Sequence, residues 1–205
     1  MPTTVGVFID WQNCYNAARN ALGFQGPGIE GNVNPLSLAR WLASNRLAGQ
    51  EPGTLTKVRI HAGMASQKRD SRTYAANQRQ FQAWRNLDPS VEVLPRMLDY
   101  SLGRPREKGV DVALAIDVVR RALIDHECDV AVVVTADTDL LPALELVVEQ
   151  GGPTAVEAAT WTGPNWSPKP LGLAHVQIRQ HRMDGSLYQR IADRTDYNQP
   201  TRPRR

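Results

Sequence analysis

Cysteine is scarce in this chain: Cys14 and Cys128 are the two in 205 residues. Neither has a second cysteine or a histidine at zinc-ligand spacing, so no zinc module is visible, and both read as reduced, largely buried thiols. Long hydrophobic runs are lacking too. No segment reaches the roughly 18 uninterrupted apolar residues of a membrane helix. The opening MPTTVGVFIDWQN has no basic region and meets an aspartate after a short apolar run, unlike a secretory leader. The expectation is a cytoplasmic protein with no membrane partner. Net charge is small as well, +3 with a pI near 9.1, and much of the excess sits in the last five residues, Thr201 to Arg205. Such a balance permits a nucleic-acid partner without demanding one. There is no internal repeat.

What remains is ordinary for a globular protein: 41% hydrophobic and 22% charged residues. The length suits one domain with a proper core. Residues 1–190 are expected to form it, with 191–205 as a basic, Pro-containing and disordered tail. Strand and helix signals alternate. The apolar, β-branched run Val5 to Ile9 reads as a buried strand that stops at Asp10, and a helix follows from Trp11 to Leu22. Gly23 to Asn32 is a loop, and Asn34-Pro35 opens a second helix. Thr56 to Ala62 is a strand, Asp70 to Leu87 a long polar helix, and Val91 to Leu98 another strand. After a loop over Ser101 to Arg106 come a helix over Lys108 to Asp125 and a strand over Val130 to Val134. A helix over Thr138 to Gln150 follows, with Pro142 in its first turn and Gly151 as its C-cap. Thr154 to Ala159 is a strand, and Ala174 to Arg179 a weaker one. Strands separated by helices imply right-handed crossovers, a mostly parallel α/β sheet and helices on both faces. In such a sheet the functional site lies beyond the carboxyl ends of the strands.

Acids stand at those ends. Asp10 closes the first strand, Asp137 follows the Val130 to Val134 strand after Thr135-Ala136, and Asp139 is two residues further on. Asp111 lies in the first turn of the helix from Lys108, close to Gly109. Each also has an ordinary structural reading. Asp10 is a good N-cap for the following helix, Asp137 or Asp139 for the helix near Thr138, and Asp111 suits a positive helix end. Together, however, they put three or four carboxylates on one rim, where they cannot all stay ionised without a cation. Hard oxygen ligands at an open edge favour Mg2+ or Mn2+ over zinc.

Three segments carry a more specific likeness. Phe8-Ile9-Asp10-Trp11-Gln12-Asn13 resembles the opening motif of NYN domains, a strand ending in Asp with Asn three residues later. The run Lys108-Gly109-Val110-Asp111, continuing to Asp117, resembles their Lys-Gly-x-Asp helix motif. Thr135-Ala136-Asp137-Thr138-Asp139-Leu140 resembles their Ser/Thr-Gly-Asp-x-Asp-Phe motif, with Ala136 for the glycine and Leu140 for the phenylalanine. All three occur in the family's order, over roughly residues 5 to 160. The resemblance implies a PIN-like, Rossmann-like three-layer fold and, for many members, metal-dependent ribonuclease activity. Asp10, Asp111, Asp137 and Asp139 would then be the catalytic and metal-binding acids.

Other residues would support that chemistry. Asn13 is placed to orient a water or a phosphate oxygen, or else to make a local cap. Thr135 would hold Asp137 or a phosphate, and Lys108 would contact the scissile phosphate or else be a solvated lysine at a helix start. Asp117 matches an acid of the family pattern and so has a supporting or metal role, yet it lies about 120° from Asp111 at ~100° per residue. An exposed ion pair with Arg121 at i+4 explains it equally well. Lys68, Arg69, Arg72, Tyr74 and Arg79 cluster after the second strand, and Arg104 and Arg106 precede Lys108. Basic residues with an aromatic suit a single-stranded backbone and a stacked base, although a solvated helix face reads the same way. The family points to single-stranded RNA; the residues alone allow single-stranded DNA too. A non-catalytic adaptor that keeps the fold is the alternative. A haloacid-dehalogenase-like phosphatase, which also opens on a strand ending in Asp, wants a second Asp two residues on, where this chain has Gln12.

Overall fold

The N-terminal β-branched run forms the centre of the sheet. In a computed structural model, which describes residues 2–26, 28–45, 51–150, 154–173 and 175–199, it becomes strand β1 (Thr4–Asp10). The other strands are β2 (Thr54–Met64), β3 (Val91–Met97), β4 (Val130–Val134), β5 (Ala155–Trp161) and β6 (Arg179–Met183). They form one six-stranded sheet in the order β3-β2-β1-β4-β5-β6, with every pairing parallel.

Alternation along β1 divides the core. Val5, Val7 and Ile9 face one layer, with helices α1 (Trp11–Leu22), α2 (Pro35–Ser44), α3 (Ser71–Arg85) and α6 (Gly185–Ile191). Phe8 faces the other, with α4 (Val110–Val119) and α5 (Leu141–Glu149). The chain first builds outward from β1 to β2 and β3, then returns to pair β4 with the free edge of β1 and builds the other way. Right-handed crossovers in opposite directions put their helices on opposite faces, which is why α4 and α5 lie across the sheet from α1 to α3. β4 is buried at all five residues, as a strand covered on both sides must be. The direction of building reverses between β1 and β4, whose carboxyl ends are level, Ile9 being paired with Val134. In a doubly wound sheet that reversal opens the ligand crevice.

Local chemistry sets the ends of the elements. Asp10 caps α1, its Oδ1 accepting from the Asn13 amide at 3.0 Å, and α1 ends on Gly23 at φ 70°. Gly109 at φ 73° turns the chain into α4. The helix expected over Lys108 to Asp125 is regular from Val110 to Val119. Its last part, Arg120–Ile124, widens into a π-type turn, with the Asp125 amide donating to the Arg120 carbonyl. The expected Thr138 to Gln150 helix begins as a 3-10 turn, Thr138–Leu140, and becomes α-helical at Leu141; Gly151 lies outside the described residues.

Two expectations fail near the C-terminus. The last strand covers Arg179–Met183 rather than Ala174 to Arg179, because its inward residues include His181, whose Nε2 lies 2.6 Å from Glu157 on β5. A strand that pairs polar residues inward gives no apolar alternation to read. Nor do the residues past Arg190 hang free. α6 is capped by Asp184 and buries Leu187, Tyr188 and Ile191. The chain then returns over the α1 to α3 layer, with Asp193 N–H donating to the Asn32 carbonyl and Arg79 Nε to that of Tyr197. Residues 200–205 lie outside the described residues.

Candidate active site

Asp10 is buried at the end of β1, and its capping bond occupies only Oδ1. Burial raises its pKa to about 7 against the pull of the Asn13 amide, and the carboxylates of Glu107, Asp111 and Asp137 push in the same direction. Asp111, in the first turn of α4, is raised by burial and then by Asp137 and Asp139. Glu107 is raised by burial, opposed by the Gly63 amide that donates to its Oε1 at 2.7 Å, and raised again by Asp111. Asp10 therefore feels the charge of Asp111 and Asp137, and Asp111 that of Asp137 and Asp139. Glu107 acts on Asp10 as well, an acid that the sequence reading passed over although it stands immediately before Lys108-Gly-x-Asp.

The loop that carries Asp137 is held by its neighbours. Asn13 Oδ1 accepts from the Ala136 amide at 2.9 Å, tying the first turn of α1 to the β4–α5 loop. Thr135, buried, accepts from the Asp137 amide at 3.1 Å, and Asp137 Oδ1 accepts from the Asp139 amide at 2.9 Å. The capping readings of Asp10 and Asp137 are thus both realised. Each uses one carboxylate oxygen and leaves the other without a hydrogen bond among the described residues. Asn13 and Thr135 bond to the backbone of the site.

Asp117 joins a different group. Its Oδ2 accepts from Arg59 Nε at 2.6 Å and lies 2.9 Å from His61 Nε2, while Oδ1 is 3.3 Å from Arg121 Nε. Its side chain is 11% exposed, so neither the exposed i+4 pair nor a place among the acids of the rim describes it. Burial acts to raise its pKa, but the bonds from His61 and Arg59 outweigh that and bring it down to about 2. Arg59 reaches on to Glu92, which also pairs with Lys57. Lys108, largely exposed, has its ammonium 3.9 Å from Asp99.

Lys68 and Arg69 lie on the loop before α3, Arg72 in the first turn of α3, and Arg104 and Arg106 on the loop before α4. Lys68, Arg69, Arg72, Arg104 and Arg106 are all exposed. The Tyr100 hydroxyl accepts from the Ser66 amide at 3.0 Å, joining the two loops, and Arg69, Tyr100 and Pro105 share one cleft. Arg106 pairs with Asp99 at 3.2 Å and leads directly into Glu107. Arg79, by contrast, is engaged with Tyr197.

The profile of the NYN domain matches residues 4–167. This chain belongs to the NYN domain family. NYN domains are generally nucleases and typically use divalent metals, and the family points to RNA as a substrate. The fold is also that of a crystal structure of a protein of unknown function from Vibrio parahaemolyticus. The two superpose with a TM-score of 0.58 at 17% identity, covering 90% of this chain and 94% of the other. No curated protein matches the chain significantly. In this NYN domain no helix of the described residues is long and apolar enough to cross a membrane. Among them, no group of three or more His, Cys, Asp or Glu side chains is arranged to hold a metal ion.

Proposed function

We propose that this NYN domain is a divalent-metal-dependent ribonuclease that hydrolyses RNA phosphodiester bonds at the acidic rim between β1 and β4. One observation supports the reading: Asp10 is buried at the carboxyl end of β1, by the switch point, where burial first and then the charges of Glu107, Asp111 and Asp137 raise its pKa to about 7. Structural acids are usually given cationic partners; these are given one another. The donor set is all oxygen, and Asp10 and Asp137 each keep an oxygen clear of their capping bonds, which suits Mg2+ or Mn2+. Holding the ion would require the carboxylates to close around it, and the cation would offset their mutual repulsion as they did so.

Asp10, Asp111 and Asp137 would hold the ion, with Asp139 and Glu107 at its margin. A bound divalent ion supplies water activation and neutralises charge on the phosphoryl group. The chain's own residues do the rest. Asn13 and Thr135 fix the backbone that aims Asp137, and the Gly63 amide orients Glu107. The basic residues at 68–72, on the loop before α3 and in its first turn, and those on the loop at 104–106 would take the phosphates of a single strand as it approaches, offsetting the negative field of the rim.

The test is cleavage of end-labelled single-stranded RNA in Mn2+, with single-stranded DNA of the same sequence and the Asp10→Asn variant run alongside. Manganese-dependent cleavage of RNA that the variant lacks is the expected result. RNA binding without cleavage in the wild type would instead make the chain a non-catalytic adaptor.

A further inference from the structure

A second cavity, of about 320 Å³, opens next to the acidic rim on the α1 to α3 side of the sheet. Trp11 and Gln12, which follow Asp10, lie on its wall, as does Gly63, whose amide holds Glu107. No charged side chain lines it. Phosphate, which calls for cations or a cluster of amides, is a poor occupant; a neutral, flat, hydrogen-bonding group is a good one. The volume lies at the small end of the roughly 300–1,000 Å³ typical of ligand pockets.

Asn32 gives the cavity its chemistry. It is only 9% exposed, and its backbone is fixed on both sides, its N–H donating to the Ile29 carbonyl and its C=O accepting from the Asp193 amide. Yet its carboxamide makes no hydrogen bond with any described residue, although it lines the cavity. Solvent reaches the carboxamide through the cavity, so its donors and its acceptor are open to a ligand there. Gln80, on α3, also lines the cavity with an unbonded carboxamide. Asn77 spends its Oδ1 on the Ala65 amide and keeps its donors. Paired donors and acceptors of this kind match the Watson–Crick or Hoogsteen edge of an unpaired base. Aromatic surface is present as well: Tyr15 lines the cavity with its hydroxyl anchored on the Gly28 carbonyl at 2.9 Å, and Tyr197 lines it too.

We propose that this cavity receives one unpaired nucleobase of the substrate strand, adjacent to the phosphate presented to the acidic rim. Asn32 and Gln80 would read its edge, and Tyr15 would lie against its face. The proposal rests on the ribonuclease reading for the identity of its ligand as RNA, but it makes a separate demand: binding should depend on a base at one particular position.

Binding of a short fluorescent single-stranded RNA to the full chain, in EDTA so that no cleavage occurs, tests this. The RNA is compared with versions carrying a single abasic nucleotide at each position in turn. One abasic position is expected to weaken binding on the order of tenfold, the scale of one stacked base. Asn32→Ala should weaken binding of the intact RNA to a similar extent and be indifferent to that abasic substitution. Gln80→Ala, on α3, provides the same comparison should Asn32→Ala fail to fold. If every abasic RNA binds like the intact one, or if both variants keep the full abasic penalty, the pocket does not hold a base. Asp10→Asn separates the two proposals: cleavage by that variant at the wild-type rate overturns the ribonuclease reading, while its abasic penalty still reports on the pocket.

Discussion

Helix α4 carries two aspartates, Asp111 and Asp117, that meet opposite surroundings on the same face of the sheet. Around Asp117 the charges balance: Arg59 and Arg121 bond its carboxylate, His61 adds a third contact, and Glu92 takes up the rest of Arg59. Around Asp111 nearby carboxylates accumulate, and the pKa of Asp111 rises while that of Asp117 falls. The two sites are six residues apart, less than two helical turns. A folded chain gains from the first arrangement and loses from the second. Retaining the second is understandable where a cation or a phosphate completes it, and the contrast locates function better than the acids' identities do.

The contrast is broken most sharply by activity. Asp10→Asn keeps the shape and the capping bond of the residue but removes a charge from the rim. Cleavage in Mn2+ should fall on the order of 10³-fold, the equivalent of about 4 kcal/mol in the barrier. Asp117→Asn, assayed in parallel on folded protein, should keep most of its rate. Comparable losses in both variants would mean that the balanced and unbalanced sites act as one.

Stability should respond the other way. Asp117→Ala leaves Arg59 buried with one partner fewer and should lower the unfolding free energy by about 3 kcal/mol in urea denaturation, the scale for breaking a buried pair from one side. Because the folded pKa of Asp117 is depressed, this contribution is complete above its unfolded value of 3.8 and is lost as pH falls through about 2. The difference between wild type and variant should therefore shrink in acid.

Asp10 has the opposite linkage. Its folded pKa, about 7, is above the unfolded 3.8, so the folded state binds the proton more tightly and stability falls as pH rises between those values. Metal-free wild type should lose about 2.5 kcal/mol between about pH 5 and pH 8 from this group. Asp10→Asn should flatten that slope and melt higher than wild type at the alkaline end. Mn2+ should restore the wild type there by binding the folded state. A wild-type profile parallel to that of Asp10→Asn would mean that neither burial nor the neighbouring acids raise the Asp10 pKa, and the unbalanced site would lose its basis.

The sequence made one side of this contrast far more legible than the other. Asp10, Asp111 and Asp137 sit at ends of elements that apolar β-branched runs and capping residues declare locally, so parallel topology was enough to expect them at one edge of the sheet. Asp117 was ambiguous because its partners, Arg59 and His61, come from a strand more than 50 residues earlier, beyond the reach of helical spacing. Glu107 went unnoticed for the converse reason: it stands in an irregular segment, and the contact that orients it is with a backbone amide of β2. Asn13 was expected to bond a water or phosphate, or else to make a local cap; the bond its Oδ1 accepts comes from the Ala136 amide, 123 residues on, which helical spacing does not announce. β6 and α6 escaped because one turns His181 inward and the other is seven residues long with three apolar contacts.

The basic loops should give the smallest effect, and they sharpen the contrast by showing what offsets the acids. Arg69 and Arg106 are exposed, lie on loops joined through Tyr100, and border the segment that leads into Glu107. If they contact phosphates, the double variant Arg69→Glu/Arg106→Glu should bind single-stranded RNA more weakly. The slope of log affinity against log salt should flatten by about 1.4, from two contacts at roughly 0.7 each on single strands. Arg106 is paired with Asp99, so part of its charge is already neutralised within the protein and the observed change should fall somewhat short of that figure. Folding should be unaffected, since surface pairs of this kind contribute little. The decisive quantity is the slope rather than the affinity at one salt concentration, because charge reversal near an acidic rim weakens binding of any polyanion by long-range repulsion. A lowered affinity with an unchanged slope would mean that the strand reaches the rim by another side, leaving these arginines as a solvated face.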